Sequence, residues 1–246
     1  MFGAYLYDCE CWSTIDEVAE SILVTEHKLL KRILQVKPRT PNEIVYTELG
    51  RCNTVSTIKM RQKRFFQRCM KLSREEASLK TVMEMCAHLD IIKYYESLRD
   101  DIGDCNRTQM KDSINSSAST MCRQYKDYTN VEYNDVIYGQ FLNEEKRVLI
   151  TKWRLSCHTL HVETGRYTSP KTPREQRTCG QCNCVEDEYH ALFDCPLYGN
   201  VRMKFRDFLL RLPSVKELLN PCNLDDANTL GDMLMEIEAV RRSEML

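Results

Sequence analysis

Cys179-Gly-Gln-Cys182 is followed closely by His190 and Cys195, and no other feature of the 246-residue chain restricts its fold so tightly. Two thiols separated by two residues make a tight knuckle that offers both sulfurs to one tetrahedral ion. A His and a Cys further along can close the set from a following helix. Cys184 places a third thiol in the same loop, so spacing alone leaves Cys182 and Cys184 interchangeable as ligand. Buried free cysteines are common, and a lone His beside an apolar helix face is ordinarily a core residue. Here four ligand-type residues fall within seventeen positions, interrupted by Gly, Asn and acidic residues instead of a strand pattern, and that density points to a metal. Four protein ligands leave no coordination position open, so the set reads as a structural Zn2+ site, a folding element and not a hydrolytic centre.

The chain is long enough to bury a core without staples, so the metal is needed locally and not globally. The thirteen cysteines are odd in number, and the N-terminus lacks a basic stretch before its apolar residues, as a signal peptide would have. Reduced thiols in an intracellular protein, nuclear or cytoplasmic, fit better than a secreted disulfide scaffold. No run of about eighteen apolar residues occurs, so no membrane span is expected. Cys9 and Cys11 alternate as on one face of a strand, and the remaining scattered cysteines read as small core hydrophobes.

A formal charge of −1 conceals a strong asymmetry. Lys28 to Lys80 holds fourteen basic residues against four acidic, and Lys146 to Arg177 eight against two, whereas Glu84 to Asp135 holds ten acidic against six basic. The near-neutral total therefore leaves a polyanionic partner open.

Hydrophobic spacing predicts a mainly α chain. A first helix opens at Ser13-Thr14 and runs to about Val36, with Ile15, Val18, Ala19, Ile22, Leu23, Leu29, Leu30, Ile33 and Leu34 facing in. Thr40 caps a short helix from Pro41 to Leu49, with Gly50 after its end. A longer helix follows Asn53-Thr54, burying Ile58, Phe65, Phe66, Cys69 and Leu72, and its surface carries Lys59, Arg61, Lys63, Arg64, Arg68 and Lys71 with no interleaved acid. Ser73 to Glu76 reads as a capping box before a helix to Leu89. Asp90 to Gly103 continues helically, and Asp104 to Thr120, rich in Ser and Asn, reads as a connector. Asn143 caps a helix to about His161. A basic loop with Arg166, Tyr167, Lys171, Arg174 and Arg177 then leads to Cys179, and amphipathic helices follow from about Asn200 and from Leu230 to Met245. The domain expectation is 1–104, a connector or insertion 105–142, and 143–246.

Three blocks carry a family resemblance: Leu155-Ser-Cys-His158 through Glu163, Gly165-Arg166-Tyr167 and Pro173-Arg174 to Cys179; Val185-Glu-Asp187-Glu188-Tyr-His190; and Cys195-Pro196-Leu-Tyr198. Together they resemble the C-terminal end of reverse transcriptases of LINE-type (non-LTR) retrotransposons. Tyr7 to Trp12, Leu30 to Val36 and Tyr46 to Arg51 resemble the stretch after that family's palm. The resemblance covers roughly residues 4 to 75 and 150 to 205. It implies a thumb-like helical region followed by a small zinc-stapled CCHC module and C-terminal helices. Its metal ligands would be Cys179, Cys182, His190 and Cys195, which selects Cys182 over Cys184, and its role a grip on RNA or single-stranded DNA.

The family's polymerase needs an Asp-Asp pair in a hairpin and a separate upstream Asp for two catalytic metals. The pairs Asp100-Asp101 and Asp225-Asp226 lack that surrounding and fit helix ends, so no polymerase activity is expected. Candidate nucleic-acid contacts are Lys59, Arg61, Lys63, Arg64, Arg154, Arg166, Lys171, Arg174 and Arg177, with Tyr167 stacking on an unpaired base. The second class of function is a structural or protein-interaction module without nucleic-acid binding. Cys157 and His158 are neighbours on a predicted helix, where adjacent side chains diverge, so a thiol–imidazole dyad is not expected.

Overall fold

The computed structural model describes residue 9 and residues 15–86, 90–139 and 141–244. These residues are mainly α-helical, and an antiparallel bridge between Thr178 and Val185 is their only β pairing. The helices are α1 Ile15–Ile33, α2 Asn42–Glu48, α3 Thr54–Glu75, α4 Ala77–Cys86, α5 Asp90–Ser97, α6 Ile102–Ser116, α7 Thr120–Tyr128, α8 Asp135–Tyr138, α9 Glu144–Arg154, α10 His161–Thr164, α11 Gly199–Lys204, α12 Arg206–Arg211, α13 Val215–Leu218 and α14 Leu224–Glu244. The strand-like stretch around Cys9 and Cys11 and the helix start at Ser13-Thr14 lie outside the described residues, Cys9 apart. None of the helices is long and apolar enough to cross a membrane.

The chain separates into two compact units, one of Met1–Leu29 and Arg51–Asp112, the other of Leu30–Gly50 and Ser113–Leu246. The units do not follow the sequence-based division: residues 30–50 belong with the C-terminal part, and the change of unit near residue 112 falls inside α6.

In the first unit α3 packs on α4 and α5. Asn53 starts α3 by accepting the Ser56 amide at 2.8 Å, a side-chain cap for an otherwise unpaired N–H. Phe66, Tyr95 and Leu98 form one apolar cluster, with the Phe66 and Tyr95 rings stacked at 5.6 Å, and Cys9 with Ile58 forms another. Gln62 is fully buried between them: its amide donates to the Cys9 carbonyl at 3.2 Å, and its carbonyl accepts the Tyr94 hydroxyl at 2.9 Å. Buried amides persist where both ends are paired.

Four expectations are corrected here. Ser73 does not cap a new helix; it is the buried penultimate turn of α3, donating to the Met70 carbonyl at 2.9 Å, and the break comes at Glu76 in extended conformation. Leu72, Val18 and Ile33 are exposed, because the apolar stripes drift around helices that bury a narrower face. Asp90 to Gly103 is interrupted after Ser97. Asp104 to Thr120 is no loop: α6 occupies most of it, burying Met110 and Ile114 one turn apart while Ser and Asn face water.

The second unit is built on α9 and α14, which pack along each other. Ile150 and Trp153 of α9 meet Leu230, Met233, Leu234 and Ile237 of α14, all essentially buried, with Leu160, Val162, Leu192, Tyr198 and Leu218 around them. The helix expected to reach His161 ends at Arg154, where Leu155 closes it and Ser156 takes a positive φ of 50°. Pro41, not Thr40, occupies the capping position of α2, and the buried Thr40 hydroxyl instead lies 3.4 Å from Cys157 Sγ. Gly50 ends α2 at φ +61°, and a Cβ built on it falls 2.8 Å from Tyr133 Cβ. Gly50→Ala is therefore expected to destabilise this unit by at least ~1 kcal/mol, from the left-handed backbone and the clash together, measured by chemical denaturation.

Candidate metal centre

The knuckle is a minute hairpin. Thr178 and Val185 pair, the Cys179 amide donates to the Cys184 carbonyl at 2.8 Å, and the Asn183 amide donates back to the Cys179 carbonyl at 3.0 Å. Asn183 sits at φ 55°, a left-handed position that Asn tolerates better than most residues. The loop presents the Cys179 and Cys182 sulfurs inward and leaves Cys184 exposed.

The other two ligands come from His190–Asp194, a wide π-type turn closed by the Cys195 amide on the His190 carbonyl at 2.8 Å. An i→i+5 bond inserts one residue more than an α turn, which brings His190 and Cys195 to the same side. Asp187 accepts the His190 amide at 3.0 Å and fixes the start of the turn.

One ligand atom from each of Cys179, Cys182, His190 and Cys195 lies within 4.8 Å of the others, close enough to hold a metal ion. Cys195 Sγ stands 3.6 Å from Cys179 Sγ and 3.8 Å from Cys182 Sγ, far beyond a disulfide bond of about 2.05 Å. Burial, with the neighbouring Cys179 and Cys182 thiols, pushes the Cys195 thiol up to about 12 against the opposing Leu197 backbone hydrogen bond, and burial raises Cys182 as well. A cation among the sulfurs reverses that penalty, since the thiolate is the form that ligates. Cys184 is not part of the converging four; its sulfur lies 3.4 Å from His190 Nδ1.

Around this centre, buried ion pairs join distant segments. Glu186 accepts the His161 amide at 2.7 Å and pairs with Arg241 of α14, its Oε2 3.0 Å from Nη2. Glu188 and His158 are both fully buried, with Oε1 2.9 Å from Nε2. Burial works to raise the Glu188 carboxyl, but the His158 hydrogen bond and charge outweigh it and hold the group below its usual value. His158 also packs against Trp153, ring centres 5.0 Å apart. Cys157 turns elsewhere, to Thr40 and the Leu155 carbonyl, so no thiol–imidazole dyad forms.

The expected nucleic-acid contacts separate into two groups. Arg154 is wholly buried: its Nη2 donates to Glu48 Oε2 at 3.0 Å, and Nη1 donates to the Leu219 carbonyl and to Asn220. Arg177 is buried too, donating to the Val162 carbonyl at 2.8 Å and the Thr172 carbonyl at 2.9 Å. Arg166 is nearly covered, 2.7 Å from the buried Glu163 carboxylate and bonded to Gln124. Arg154, Arg166 and Arg177 are thus structural cations, and the expectation that they meet phosphate is corrected. Arg174 is exposed but 3.1 Å from Asp187. Tyr167 is 41 % exposed, yet Lys37 Nζ stands 4.7 Å from its ring centre, so one face is taken. Lys171 is exposed and makes no ion pair among the described residues.

On α3, Lys59 and Arg61 are half-buried, and Lys63 lies 3.9 Å from Asp100. Arg64, Arg68, Lys71 and Arg74 are exposed and have no carboxylate partner among the described residues. Arg64, Arg68 and Lys71 fall at i, i+4 and i+7 and form one row. The pairings of Arg154, Glu186 and Glu188 have no signal in the sequence, because their partners lie 106, 55 and 30 residues away. Compared with family models, with curated proteins and with solved structures, the chain matches none.

Proposed function

We propose that the chain is a non-catalytic protein binding RNA or single-stranded DNA, derived from a LINE-type reverse transcriptase, with a thumb-like helical region and a C-terminal module held by structural Zn2+. The observation that carries the binding part is the unneutralised row of Arg64, Arg68 and Lys71 on α3, in a protein that pairs its buried arginines. An exposed cationic row without acids is the footprint of phosphate contact. The choice of zinc rests on the donor set and its size. Three sulfurs and an imidazole suit Zn2+, and Zn–S bonds of about 2.3 Å set tetrahedral sulfur–sulfur edges of about 3.8 Å. Sulfur separations of 3.6 and 3.8 Å agree with that.

The test is a salt series of binding to a fluorescent oligouridylate. Each phosphate contact on a single strand adds about −0.7 to the slope of log affinity against log salt. The triple variant Arg64→Ala, Arg68→Ala, Lys71→Ala is expected to lose at least about tenfold in affinity and to flatten the slope by about 2. Unchanged affinity and slope in a variant with the native circular dichroism spectrum refute the proposed contact.

A further inference from the structure

Beside the metal centre, on the face of the second unit made by the His190–Asp194 turn and helices α11 and α12, lies an open pocket of about 330 Å³. Its walls are Phe193, Leu209, Leu210 and Pro213, and Arg202 and Arg206 complete the lining. Neither arginine has a carboxylate partner among the described residues, although Asp194 and Asp207 are close in sequence. Arg202 spends one nitrogen on a long 3.4 Å contact to the Asp194 carbonyl, and its Nη1 is buried with no partner. A buried guanidinium nitrogen left unpaired costs free energy comparable to a lost charged hydrogen bond. Among the buried arginines of this unit, Arg154 and Arg241 have carboxylate partners and Arg177 donates to the Val162 and Thr172 carbonyls. Leu210 on the rim is 68 % exposed, an apolar side chain with nothing over it.

We infer that this pocket is a docking site for a peptide segment that places a carboxylate on Arg202 and Arg206 and an aliphatic or aromatic side chain against Phe193, Leu209 and Leu210. Charge complementarity sets the head group. A guanidinium pair is donor-only, and a carboxylate is acceptor-only and accepts such donors bidentately. The walls set the body: three aliphatic residues and one partly covered ring bury an apolar side chain. A nucleobase fits less well, because its edge carries donors as well as acceptors and the lining side chains offer no acceptor to receive them. The inference is independent of the nucleic-acid reading, since it uses neither α3 nor the metal's identity.

The experiment uses the full metal-loaded chain labelled with 15N and methyl 13C. It is titrated with 4-methylpentanoate and 3-phenylpropionate, with their amides, and separately with inorganic phosphate and uridine monophosphate. Saturable shifts of the Arg202 and Arg206 Nε–H signals and the Leu209 and Leu210 methyls by the acids, absent with the amides, are the expected result. Arg206→Ala and Arg202→Ala should each weaken the acids at least tenfold. Leu210→Ser, at an exposed position that leaves the fold intact, should weaken 4-methylpentanoate at least threefold. A fluorescein-labelled peptide with Asp two residues from Leu should then compete with the acids, and its Asn counterpart should not. Equal shifts from acids and amides, no saturation, insensitivity to Arg206→Ala, or a response to uridine monophosphate in place of the acids each overturns the inference.

Discussion

Cys195→Ser and Cys179→Ser are each expected to abolish metal binding and to unfold the segment from Arg177 to Tyr198. Cys179, His190 and Cys195 are all buried, and Ala191, Leu192 and Tyr198, between and beyond them in sequence, are part of the unit's main apolar cluster. A structural zinc site contributes about 10–16 kcal/mol of apparent binding free energy, several times what the few backbone hydrogen bonds of this hairpin supply. The loss should therefore spread into the packing of Trp153 and α14. Metal content by mass spectrometry should fall from one per chain to none, and hydrogen exchange of residues 177–198 should become fast. Cys184→Ser is the internal control and should keep its metal, because that sulfur stands outside the converging four. Metal retained in Cys182→Ser and lost in Cys184→Ser would reassign the ligand, and full retention in Cys195→Ser would remove the centre altogether.

Glu48→Ala is expected to cost about 3–5 kcal/mol, the penalty of leaving a buried charge without its partner. Glu48 and Arg154 have no solvent-exposed side-chain surface. The same carboxylate accepts the Tyr125 hydroxyl at 2.6 Å and the Tyr138 hydroxyl at 2.7 Å, so the substitution removes an acceptor from three side chains at once, of which Tyr138 keeps the Thr151 hydroxyl at 2.9 Å. Burial, then the Glu48 charge, raises both tyrosines well above the ordinary phenol value, so both remain donors throughout the working pH range. Tyr125→Phe removes only one donor and should cost about 1 kcal/mol. Denaturant titration followed by tryptophan fluorescence separates the two. A Glu48→Ala variant within 1 kcal/mol of the parent would mean that Arg154 reaches water or another acceptor when its partner goes.

These networks fix the two kinds of arginine in this chain. Those in the second unit's interior hold α2, α9, the knuckle and α14 together: Arg154 reaches Glu48, and Arg241 reaches Glu186. The exposed ones on α3, and the two lining the Phe193 pocket, have no carboxylate partner among the described residues. The proposed RNA contact and the proposed peptide pocket use different members of this second group, so each stands or falls by its own variants.

Helical class was legible because period and caps are local properties. Asn53 and Asn143 start their helices as their side chains dictate, each accepting an amide two or three residues on. The convergence of Cys179, His190 and Cys195 was legible for the same reason, since a two-residue knuckle and a following turn bring ligands together over a short stretch of chain, whereas spacing left Cys182 and Cys184 interchangeable and the fold brings in Cys182. Where polar side chains face water, local pattern misled: Asp104 to Thr120 looked like a connector, and only the burial of Met110 and Ile114 reveals α6. Charge was the least legible property. Arg154, Arg166 and Arg177 belong to a basic stretch in sequence, yet carboxylates and carbonyls brought in by the fold absorb them. A side chain's charge is set by its residue type, whereas its availability depends on which distant groups the tertiary fold places within about 3 Å of it, and only the folded chain decides that.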